Sequence, residues 1–121
     1  MNIEAFRMHC IAKLGVTEEL PFDNNTLVFK VMGKMFALTG VDTFDSINLK
    51  CNPELAIELR EQYDEVTPGY HMNKKHWNSV SMMGRLSDGQ IKEWVDHSYD
   101  LVVKGLTKKL REELEEMNSF L

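Results

Sequence analysis

Ten consecutive residues, PGYHMNKKHW from Pro68 to Trp77, hold two lysines, two histidines, a tyrosine and a tryptophan, and no acid. Cations beside aromatic faces are what nucleic-acid recognition uses: lysines meet phosphates, and rings pack against or stack on bases. Asn73, Lys74 and Lys75 form a polar turn between an extended arm, Tyr70 to Met72, and a strand from His76 to Met82. Tyr70, His71, His76 and Trp77 flank the two lysines. The bland counterpart is that Trp77 and Tyr70 are core or rim packing while the lysines solvate a turn, since large aromatics are mostly buried. Lys34 and Lys50, with Lys30, extend the basic patch if their strands lie beside the turn. Strand lysines also serve simply to discourage edge-to-edge association.

Other chemistry is less well marked. His71, His76, Cys51 and His97 are ligand types without a metal-site spacing, because a structural zinc site normally pairs its ligands. The acidic run Glu112, Glu113, Glu115 and Glu116 reads as a solvated helix face. Cys51 before a helix, with His71 as base, is the one conceivable nucleophile, although a small buried cysteine is the simpler reading. His97 and Ser98 are helix neighbours and do not face one another. No phosphate loop, dinucleotide fingerprint, nucleophile elbow or HExxH pattern occurs. The expectation is a non-enzymatic chain with no cofactor and no metal.

Behind these residues stands an ordinary globular composition, 43% hydrophobic and 27% charged, in 121 residues. That length suits one domain spanning 1–121, able to bury roughly two thirds of its unfolded surface. The formal net charge of −5 opposes non-specific attachment to DNA or anionic lipid, yet no acid lies between Glu65 and Asp88 or between Asp23 and Asp42. Two unpaired cysteines, Cys10 and Cys51, suggest free thiols in a reducing cytoplasm. The start MNIEAFRMHC has an early acid and no long apolar core, so no signal peptide is expected, and no window suits a membrane span.

Asn2 can cap a first helix with Ile3, Phe6, Cys10 and Leu14 on one stripe, ended near Gly15. After a TEELPF loop come strands at Leu27 to Val31 and Lys34 to Thr39, joined through Gly33, and a third run at Phe44 to Lys50. Asn52 and Pro53 open a second helix whose stripe is Leu55, Leu59 and Tyr63. Pro68-Gly69 breaks the chain before the second hairpin. Ser87 and Gln90 make a capping-box pattern ahead of Ile91, Trp94, Val95, Ser98 and Val102, with Gly105 at the end. Thr107 can cap a last helix carrying Leu110, Leu114 and Met117. The order α-β-β-β-α-β-β-α-α predicts an α+β fold, with helices packed on one side of a mainly antiparallel sheet.

KVMGKMFAL, INLKCNPELAIELREQY, PGYHMNKKHW and HSYDLVVKGL, in this order and at these spacings, closely resemble the MmcQ/YjbR family of small bacterial proteins. The most specific positions are Lys34, Phe36, Leu49-Lys50, Tyr70-His71, Lys74, Trp77 and Ser98-Tyr99. The resemblance implies a CyaY-like fold, related in shape to bacterial frataxin and described as a double-wing DNA-binding motif. It implies no catalytic residues. The expected role is therefore a DNA-binding module contacting phosphates through Lys34, Lys50, Lys74 and Lys75, with Tyr70, His71, Asn73, His76 and Trp77 shaping or stacking at the surface. The alternative is a protein-interaction or small-ligand module that uses the same surface without nucleic acid, with Tyr70 and Trp77 as its anchors.

Overall fold

Apolar residues alternate along the strands and recur at helical spacing elsewhere, and both sets converge on one core. The computed structural model describes residues 1–69 and 72–119. Within them the order is α1 (Ile3–Ile11), β1 (Val16–Glu19), β2 (Thr26–Val31), β3 (Lys34–Gly40), β4 (Ser46–Lys50), α2 (Pro53–Gln62), β5 (Val66–Pro68), β6 (Trp77–Ser81), α3 (Asp88–Lys104) and α4 (Lys108–Ser119). The strands form one antiparallel sheet in the order β1-β2-β3-β4-β6-β5. The α+β expectation holds, with two corrections to the strands. The segment read as the TEELPF loop begins inside β1, which pairs with β2 from Val16 opposite Val31 to Glu19 opposite Val28. On its outer side β6 pairs with Val66–Pro68, where Pro68 ends the edge strand opposite Asn78 instead of breaking the chain; the arm expected at Tyr70 to Met72 lies mostly outside the described residues. An edge strand tolerates proline, whose missing N–H costs no ladder bond. Tyr70 and His71 lie outside the described residues.

Helix caps follow the sequence closely. Asn2 accepts from the Ala5 amide, Asn52 from Glu54 and Leu55, and Ser87 from Gln90. Gln90 does not complete a capping box; its side chain donates to Glu93 instead. On α3 the buried residues are Ile91, Trp94, Val95, Ser98 and Val102, the stripe the spacing predicts. The α2 stripe is rotated: Ala56 and Leu59 are buried, while Leu55 and Tyr63 lie half-buried beside them. Tyr63 meets Trp94 edge-on at 5.1 Å.

The main core lies between the helices and one face of the sheet, where Phe6, Phe29, Phe36, Ile47, Val80 and Val95 are all but fully enclosed. At Gly15, with φ of +74°, an added Cβ would come within 2.5 Å of the Leu114 side chain, so α4 seats against a backbone that only glycine leaves open. Across the sheet, Val28, Leu38 and Trp77 form a smaller cluster with Met35 and Met72 against it.

One irregularity shapes the site end of the sheet. Phe29 pairs with Ala37 but Lys30 pairs with Met35, which leaves Phe36 as an extra residue in β3. Such a bulge bends its strand and breaks the ladder locally. Phe36 accordingly turns into the main core, edge-on to Tyr99 at 5.5 Å, while Met35 and Leu38 serve the opposite cluster. The β3–β4 ladder runs from Thr39 opposite Ile47 to Ala37 opposite Leu49 and stops there. Ser98 closes the gap: its Oγ donates to the Phe36 carbonyl at 2.5 Å and accepts from the Lys50 amide at 2.9 Å.

Ser98 is completely buried, so Ser98→Ala leaves a carbonyl and an amide unpaired in the interior. Loss of about 1–3 kcal/mol is expected, seen as a lower denaturant midpoint at unchanged slope in equilibrium unfolding. An unchanged midpoint would show that the bulge is held some other way.

Candidate nucleic-acid interface

The strands run antiparallel, so the start of β3, the end of β4, the end of β5 and the start of β6 meet at one end of the sheet. Lys34 opens β3, Lys50 closes β4, and Trp77 opens β6 directly opposite Lys50. Past the last β3–β4 pair the two strands splay, and α3 shows through the gap. Leu101, Val102 and Gly105, one and two turns beyond Ser98, floor a depression of about 420 Å³ whose remaining walls are Lys34, Met35, Lys50 and Trp77. Three of the predicted residues, far apart in sequence, thus line one concavity.

The turn between β5 and β6 is fastened beside it. The Asn73 carbonyl accepts from the amides of His76 and Trp77, and its side-chain oxygen accepts from the Lys75 amide at 2.9 Å. The His76 carbonyl in turn accepts from the Cys51 amide at 2.7 Å, tying the turn to the end of β4. Gly69 closes its other side by donating to the Trp77 carbonyl, and a Cβ at Gly69 would stand 3.0 Å from that of Trp77. Lys74 and Lys75 are exposed and His76 half-buried. Trp77 is only 7% exposed, packed against Val28 and Leu38. Of the two roles expected for its ring, this burial suits shaping the surface rather than stacking on a base.

Sequence reasoning missed Arg60. Its Nε donates to the Asn78 side chain at 2.7 Å, and its terminal nitrogen reaches the carbonyls of Lys74 and, at 3.3 Å, Trp77. One guanidinium on α2 therefore clamps both flanks of the lysine turn, a use of the planar fork that lysine could not copy. A lone arginine in a solvated helix stretch carries no sequence signal for this.

Charge is sorted along the sheet. The segments that meet here, 32–35, 49–52, 72–77 and 101–107, contain Lys34, Lys50, Lys74, Lys75 and Lys104 and no acid. The connections at the far end, 19–25, 41–46, 64–65 and 82–87, contain Glu19, Asp23, Asp42, Asp45, Asp64 and Glu65 against one cation, Arg85. Lys30 does not join the patch, because it pairs with Glu19 at 2.7 Å. Among the described residues, no carboxylate stands within ion-pair distance of Lys34 or Lys50.

The remaining chemical candidates are dispersed. His97 Nε2 accepts from the Asn52 amide at 3.4 Å, so it serves the α2 cap while Ser98 serves the bulge. Cys51 is buried, and desolvation pushes its thiol up to about 11, with Arg60 opposing weakly; the thiolate is scarce at neutral pH. His71, its conceivable base, lies outside the described residues. Among the described residues, no three His, Cys, Asp or Glu side chains gather as a metal site. Glu112, Glu115 and Glu116 lie exposed on α4 and Glu113 half-buried. No described helix is long and apolar enough to cross a membrane.

Comparison with known proteins bears on the same region. The YjbR family matches residues 11–101. The chain is 37% identical over 112 residues to the uncharacterized protein YjbR of Escherichia coli K12, covering 92% of this chain and 95% of that one. It is 39% identical over 90 residues to the uncharacterized protein YbdF of Escherichia coli O157:H7, covering 74% of each. The crystal structure of Deinococcus radiodurans DR2400, with a DUF419 domain, superposes with a TM-score of 0.87 at 38% identity over 94% of this chain and 88% of that one. A Pseudomonas syringae protein gives 0.70 at 28% identity over 84% and 98%.

Two outcomes follow from this geometry. Arg60→Ala should speed hydrogen exchange at the His76 and Trp77 amides while α3 stays protected, and equal protection in the variant would remove the clamp. Because burial raises the Cys51 thiol from 9.0 to about 11, its contribution to stability is intact below pH 9 and lost as pH rises towards 11. Alkaline unfolding curves should flatten over that window in Cys51→Ala, and an unchanged pH dependence would contradict the assignment.

Proposed function

The chain belongs to the YjbR family, and from that premise we propose that it is a non-catalytic DNA-binding module that grips phosphates with the basic end of its sheet. The observation that carries the reading is the convergence of Lys34 and Lys50 on one depression, with the lysine turn tied beside it and no acid in any segment that meets there. Phosphate oxygens are the partners that Lys34 and Lys50, with no carboxylate in ion-pair distance among the described residues, can recruit. The far end of the sheet, with its acids, repels the same backbone and so orients the approach. Lys34, Lys50, Lys74 and Lys75 hold the phosphates, while Asn73, Arg60 and the buried Trp77 keep the turn in place. The double-wing reading also counts Tyr70 and His71, which lie outside the described residues, among the binding residues. The burial of Cys51 supports a binding rather than a catalytic role, and the free buried thiols of Cys10 and Cys51 support a cytoplasmic setting.

Four phosphate contacts predict a log–log salt slope of about −3 to −4. Amide shifts on titration with a short random duplex should cluster at Lys34, Lys50 and 72–77 at low salt and fade as salt rises. Lys34→Glu with Lys50→Glu, or Lys74→Glu with Lys75→Glu, should abolish them without changing the melting temperature. Duplex binding that survives both double variants, or no binding by the parent protein at low salt, would overturn the reading.

A further inference from the structure

We propose that the depression between the splayed ends of β3 and β4 is a small-molecule site for a phosphate monoester carrying a flat or short apolar body. The volume of about 420 Å³ lies in the range of small-ligand sites, which combine apolar walls with a few placed polar groups. Its walls divide by chemistry. Lys34 and Lys50 stand on the two diverging strands, and Met35, Trp77, Leu101 and Val102 supply apolar surface between and below them.

Two observations point to an anion from outside the protein. Lys13 and Lys30 each have a carboxylate within 2.7 Å, whereas among the described residues Lys34 and Lys50 have none. The end of α3 does not use them up either, because among the described residues no hydrogen bond joins the Lys34 or Lys50 ammonium to the Leu101, Val102 or Val103 carbonyls. The apolar walls select the rest of the ligand. A bare phosphate satisfies the lysines and leaves Leu101 and Met35 against water, and an apolar body displaces that water. The depression is also preformed, since Ser98 pins Phe36 and Lys50 apart from below.

This site shares Lys34 and Lys50 with the surface proposed for DNA but does not depend on it, so the two must be told apart by experiment. Phenyl phosphate, inorganic phosphate and phenol are titrated separately into the labelled full chain, followed by amide shifts and by Trp77 emission in a Trp94→Phe background. Phenyl phosphate should shift Lys34, Lys50, Leu101 and Val102 and bind at least about tenfold more tightly than inorganic phosphate, as burial of an aryl group implies, with phenol weaker than either. Lys50→Met keeps the side-chain stem packed and should lower phenyl phosphate affinity at least about tenfold at an unchanged melting temperature. Equal affinity for phenyl phosphate and inorganic phosphate, shifts centred elsewhere, or full affinity in Lys50→Met would each overturn the proposal. A short duplex titrated into the same sample separates the readings: duplex shifts without phenyl phosphate shifts overturn the small-molecule site alone, and the reverse overturns the DNA reading alone.

Discussion

A single buried hydroxyl holds the functional end of the sheet in shape. Ser98 accepts from the Lys50 amide and donates to the Phe36 carbonyl, backbone groups of two residues that the β3–β4 register, continued past Ala37 and Leu49, would set opposite each other. The bulge at Phe36 removes that option, and an interior with unpaired backbone groups is costly. Because the hydroxyl sits on α3, satisfying the bulge also fixes where the helix crosses the sheet. Leu101, Val102 and Gly105 then fall beneath the opening, and Lys34 and Lys50 are held on its two sides. The neighbouring Tyr99 completes the anchorage by donating to the Leu14 carbonyl at 2.6 Å and meeting Phe36 edge-on. The Ser98-Tyr99 pair is thus a structural joint between α3, the bulge and the start of β1.

Much of the fold was legible because its signals are local. The α3 cap and stripe, the Asn52-Pro53 helix start and the Gly33 turn each express a backbone preference that needs no distant partner. β1 was illegible for a physical reason: at an edge, three of its four residues are exposed, so it lacks the alternation that burial imposes on an inner strand. The strand β5 was missed because Pro68-Gly69 reads as a break. At an edge the proline costs nothing, and the glycine is needed for close approach to Trp77.

The candidate site was legible as a list of cations but not as a place. Lys34 and Lys50 meet because β3 and β4 are antiparallel and because an extra residue parts them, and neither fact leaves a mark near either lysine. The face taken by Trp77 follows from its register with Lys50, a long-range property. Arg60 was invisible altogether, since its partners are mostly carbonyls, which every sequence contains.

The two sheet edges carry a further consequence. β5 offers three residues, one of them a proline, and β1 offers a short strand whose exposed end is Glu18 and Glu19. Neither outer border can template another strand for long, the first for want of length and amide donors, the second because it is only four residues long and carries charged side chains held in ion pairs with Arg7 and Lys30. A six-stranded sheet open at both borders is thereby kept from growing by end-on recruitment of its own kind, and crowding should not drive it into fibres while the fold is intact.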